Sequence, residues 1–83
     1  MENTYNGWKN RQTWNVALWI NNYESLYRAA IDFMKQHKDA KKPYARFIKS
    51  IGMENDRTPD NIKYISTRLD YEALNEMMGE LIN

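Results

Sequence analysis

Eleven carboxylates, twelve lysines and arginines, one histidine and no cysteine are the groups from which any site in this 83-residue sequence must be assembled. His37 stands among Lys35, Lys38 and Asp39 near the end of a helical pattern, a setting that predicts a solvated side chain rather than a general base. No carboxylate lies in an apolar run that would raise its pKa for acid catalysis. No His-x-x-x-His or Asp-x-Asp spacing offers a metal ligand set. Gly7, Gly52 and Gly79 are isolated, so no glycine-rich phosphate loop is present. Without cysteine there is no thiolate nucleophile, disulfide framework or Cys-ligated zinc. The sequence therefore reads as non-enzymatic, with no cofactor and no metal.

The residues better suited to chemistry are suited to binding. Lys35, Lys38, Lys41, Lys42, Arg46 and Lys49 fall within fifteen positions that hold one acid, Asp39. Such a patch can hold a phosphate backbone or an acidic protein surface. Glu72, Glu76 and Glu80 recur at i, i+4 and i+8, one acidic stripe on a helix, and no base follows Arg68. The stripe can meet a basic groove on a partner, or the basic patch of a second copy in a homo-oligomer. Trp8, which follows the Asn6-Gly7 turn, and Tyr44, which lies inside the basic segment, are candidate aromatic contacts. Trp14 and Trp19 have helical spacing and are read as core. Asn6, Asn10 and Thr13 are read as turn and cap residues. The formal net charge of +1 excludes both a strongly acidic DNA mimic and a protein basic over its whole surface.

These residues must be positioned by helices. Asn10 or Thr13 caps a first helix that is apolar all round through Trp14, Val16, Ala17, Leu18, Trp19 and Ile20, which predicts a central place. Asn21 with Glu24 fits a capping box starting a second helix, whose stripe is Tyr23, Leu26, Tyr27, Ala30, Ile31 and Met34. Arg28 and Asp32, four residues apart on the outer face, are read as an ion pair. Pro43 suits the first position of a third helix, carrying Tyr44, Phe47, Ile48 and Ile51 and ending at Gly52. Residues 53–68 are turn-rich, with Thr58-Pro59-Asp60-Asn61 as the densest cluster, and read as an ordered loop. Asp70 caps a fourth helix, stapled by Leu69 and Leu74, with Met77, Met78 and Leu81 on its apolar face. The expected fold is all-α, a compact bundle of three to four short helices with that loop between the third and fourth.

Eighty-three residues make one domain, spanning 1–83. A chain this short buries only about 60% of its unfolded surface, and its eleven aromatic residues offset that. The opening MENTYNGW has no basic or apolar signal region, and the tail before Trp8 is expected to fold back on the body. No apolar run approaches the ~18 residues of a membrane span. A cytoplasmic protein without membrane contact is expected.

The run Asn6-Gly7-Trp8, Asn10, Thr13-Trp14, Val16, Leu18-Trp19 and Asn22 resembles the hallmark NGW-x-N-x-x-TW-x-V-x-LW-x-x-N of a family of small uncharacterised phage and bacterial proteins. Thr58-Pro59-Asp60 and Leu69-Asp70-Tyr71 are similar to that family's second half, so the resemblance covers most of the chain. The family more often has Asp-Glu-Gly where this chain has Tyr23-Glu24-Ser25. The resemblance implies a phage or mobile-element source and no assigned activity. The function expected is a protein-binding module that engages a host or viral protein and inhibits it by steric occlusion. The alternative is a nucleic-acid-binding accessory protein using the patch from Lys35 to Lys49.

Overall fold

The computed structural model describes residues 5–82. The expectations for the first four residues, including the absent signal region, lie outside them. Four helices follow in order: α1 (Arg11–Asn22), α2 (Glu24–Gln36), α3 (Pro43–Ser50) and α4 (Tyr71–Glu80). No strand forms among the described residues, only isolated bridges at Tyr5–Trp8 and Arg57–Lys63. The all-α bundle with an ordered third connection is the fold that the periodicity predicts.

Local sequence explains most element ends. Asn6 and Gly7 take positive φ of 51° and 89°, the left-handed pair that a two-residue hairpin turn needs. They let the Tyr5 and Trp8 backbones exchange two hydrogen bonds. The Asn10 side chain accepts the Thr13 amide at 2.9 Å and caps α1. Pro43 opens α3, and the next amide, Tyr44 N–H, donates across the bundle to Asn75 of α4 at 2.9 Å. At the other end of α3, Gly52 has φ 73°, Met53 N–H donates to the Ile48 carbonyl and Gly52 N–H to Lys49. That is a Schellman cap. Asp70 caps α4 through the Ala73 amide at 3.3 Å, with Leu69 and Leu74 both in the core.

Three expectations need correction. Asn21 does not start α2: α1 continues through Asn22, and the Asn21 and Asn22 amides donate back to the Ala17 and Leu18 carbonyls. The break is one residue, Tyr23, which occupies the cap position of α2 with no side-chain cap bond. The ion pair of α2 is Glu24–Arg28 at 2.7 Å rather than Arg28–Asp32. The first helix is also not central. α2 and α4 each pack against all three other helices, whereas α1 meets α2 and α4 alone. Its buried face is Thr13, Asn15, Val16, Ala17 and Ile20, while Trp14, Leu18 and Trp19 are half-buried.

The core is one cluster to which all four helices contribute, with Val16, Ala17 and Ile20 as the share of α1. Leu26, Ala30 and Met34 meet Tyr44, Phe47 and Ile48, and Leu74, Met77 and Met78 close it with Tyr64 and Leu69 from the loop. Of the stripe on α2, Tyr23 and Tyr27 stay outside, 55% and 38% exposed. No helix among the described residues is long and apolar enough to cross a membrane.

Candidate functional site

The long connection between α3 and α4 is fastened to α1 by buried polar side chains. Thr58 is buried, and its hydroxyl donates to Asn15 Oδ1 at 2.6 Å while accepting the amides of Asp60 and Ile62. Asn15, also buried, donates from Nδ2 to Asp60 Oδ2 at 2.7 Å, and the Trp19 indole N–H reaches the same oxygen at 2.9 Å. The Asn15 amide and then the Trp19 indole hold the Asp60 carboxyl below its ordinary pKa; desolvation opposes them and the Arg11 charge assists. Asn61 closes the turn at φ 68°, a conformation Asn tolerates better than most residues.

A second set of fasteners lies one turn earlier on α1. The Thr13 hydroxyl donates to Asn10 Oδ1 and accepts the Asp70 amide at 2.9 Å, and Asn10 Nδ2 donates to the Arg68 carbonyl at 2.7 Å. Asn10 and Thr13 are thus caps that also hold the start of α4. Tyr44 is not a surface contact: it is fully buried, and its hydroxyl donates to the Tyr64 carbonyl at 2.6 Å. Burial pushes that hydroxyl far above the usual tyrosine range.

With the connection held there, Pro59, Arg57 and Tyr64 face Trp19 of α1 and Tyr23, Leu26 and Ala29 of the α1–α2 corner. Together with Ser25, Ile51 and Met53 they line an open groove of about 490 Å³ whose walls are mostly apolar. The exposed ring of Tyr23 stands at its rim. Sequence reasoning missed this groove, because it forms only when two segments some forty residues apart are joined, and Asn15, which joins them, reads as one more polar helix residue.

Lys35, Lys38, Lys41, Lys42, Arg46 and Lys49 are all exposed, and none is ion-paired among the described residues. Lys41 and Lys42 share a shallow groove with Glu72, Tyr71 and Asn75. Glu72, Glu76 and Glu80 are exposed along α4. The upper two border a different groove with half-buried Trp8, Gly7, Asn21 and Met77. The basic patch and the acidic stripe therefore adjoin within one molecule at Glu72. His37 is half-buried rather than fully solvated: its ring stacks on Phe33 at 4.2 Å and its Nδ1 lies 3.0 Å from the Phe33 carbonyl oxygen. No group of three His, Cys, Asp or Glu residues among those described is placed to hold a metal.

Fold and site together define a small four-helix all-α protein whose long connection is docked on its first helix. A family model matches residues 1–83, and the chain belongs to that family, the family of unknown function DUF7249. Neither the curated proteins nor the solved structures contain a match to the chain.

Proposed function

We propose that the protein is a non-enzymatic protein-binding module, encoded by a phage or mobile element, that engages a host or viral protein in the cytoplasm and inhibits it by steric occlusion. The observation that carries this reading is the apolar groove between Trp19, Tyr23, Leu26 and the Arg57–Tyr64 segment. An open apolar groove rimmed by an exposed tyrosine suits anchor side chains of a partner, and Tyr and Trp are the residues that most often supply binding energy at such surfaces. The source rests on the resemblance of the NGW…TW run to phage proteins.

A second reading, nucleic-acid binding, is favoured by the six exposed cations from Lys35 to Lys49, none of them ion-paired among the described residues. Phosphate contact makes affinity fall steeply with salt. Affinity capture from bacterial lysate, with and without nuclease, separates the two. Retention of one protein after nuclease supports the module. Loss of every captured protein on nuclease treatment, with equal loss in a Lys41→Ala, Lys42→Ala, Arg46→Ala triple variant, favours the second reading.

A further inference from the structure

The apolar groove does not end at its own rim. Arg57 lines it and also lines the neighbouring trough of about 230 Å³, together with Lys63, Arg68, Gln12, Asn61 and Ser66. Among the described residues, no acid lines either depression. Arg57 and Lys63 are moreover paired across an antiparallel bridge, which sets two like charges side by side, an arrangement unfavourable in itself. No ion pair relieves it among the described residues. The Arg57 guanidinium makes one long contact, 3.5 Å to the Asn61 carbonyl. Of the two acids flanking Arg57 in the chain, Asp60 is engaged by Asn15 and Trp19, and Asp56 lies beside Tyr64.

Resting on the protein-binding reading, we infer that the groove and trough form one docking track for an extended acidic peptide segment of the partner, apolar anchors seated between Trp19, Tyr23 and Leu26 and adjoining Asp or Glu side chains over Arg57, Lys63 and Arg68. Depressions of about 490 and 230 Å³ take a few side chains each, and two of them joined in line through Arg57 suit a linear segment. Charge complementarity fixes its composition and its direction: anchors at the α1–α2 corner, acids toward Arg68.

The test is selection of a random peptide library against the full chain. Synthetic versions of the enriched peptides are then titrated by fluorescence anisotropy against wild type, Arg57→Glu, Lys63→Glu and Tyr23→Ser. All three sites are exposed, and circular dichroism confirms that each variant is folded. The expected result is a consensus of aromatic or aliphatic residues next to acids, with affinity reduced about tenfold or more by each charge reversal and by Tyr23→Ser. Enriched peptides without acids that still lose affinity in Tyr23→Ser overturn this inference and leave the protein-binding reading standing. Failure to enrich any peptide overturns this inference, while the protein-binding reading stands or falls separately on affinity capture from lysate. Displacement of the peptide from Arg57 and Lys63 by a short single-stranded DNA, with no sensitivity to Tyr23→Ser, assigns the trough to phosphate and overturns the inference.

Discussion

Asn15 carries more of the architecture than its residue type suggests. It is fully buried, and its amide joins Thr58 on one side to Asp60 on the other. Removing one partner of a buried hydrogen-bonded set leaves the others desolvated and unpaired. Asn15→Ala is therefore expected to destabilise the protein by about 2–3 kcal/mol in urea unfolding and to loosen the apolar groove with it. The Tyr44 hydroxyl gives a pH test. Its pKa is raised above the ordinary 10.0 chiefly by burial. The stability contribution is present in full below that value and lost as pH rises from it, because the unfolded chain ionises first. As pH rises above about 10 the unfolding midpoint should fall, and it should fall less in Tyr44→Phe. Asn15 and Thr58 look like ordinary polar residues until the fold brings them within 2.6 Å of one another. Tyr44 was legible in part: its place on the α3 stripe with Phe47 and Ile48 predicts the burial observed, while its place among lysines suggests a surface contact.

Elements were more legible, because their signals are local. Pro43 at the start of α3, Gly52 after its end and Asp70 before α4 act on neighbours within a turn, and all three perform as their residue types predict. Two glycines make opposite predictions. Gly52 has φ 73°, so Gly52→Ala should cost about 1 kcal/mol in backbone strain although its new Cβ has open space. Gly79 lies inside α4 with nothing within 4 Å of an added Cβ, so Gly79→Ala should stabilise by about 0.5–1 kcal/mol. Thermal melts of the two variants check both signs. The corner between α1 and α2 was misread because Asn21 and Asn22 suit a cap and suit equally a bond back to the preceding turn. The structure uses the second option, and a tyrosine is left where Ser, Thr, Asp or Asn would serve the helix better.

At the scale of the whole molecule, helix count and the bundle followed from periodicity, but the neighbours of each helix did not. An all-round apolar α1 predicts a central helix. Instead its Trp14 and Trp19 are half-buried, Trp14 packed at 4.7 Å against Tyr5 and Trp19 bonded to Asp60. The apolar residues in excess of the core thus build a surface, and Tyr23 is its most exposed aromatic residue. That tyrosine separates stability from function. Tyr23→Ser places a good cap at the start of α2, with an expected gain of about 0.5–1 kcal/mol, and removes the ring from the groove rim. The most direct measurement is nuclease-treated affinity capture with wild type and Tyr23→Ser side by side, each with its melting temperature. A protein-binding module working through this groove predicts a variant that melts no lower than wild type and no longer retains the partner. Undiminished capture by Tyr23→Ser would contradict the groove as the binding surface.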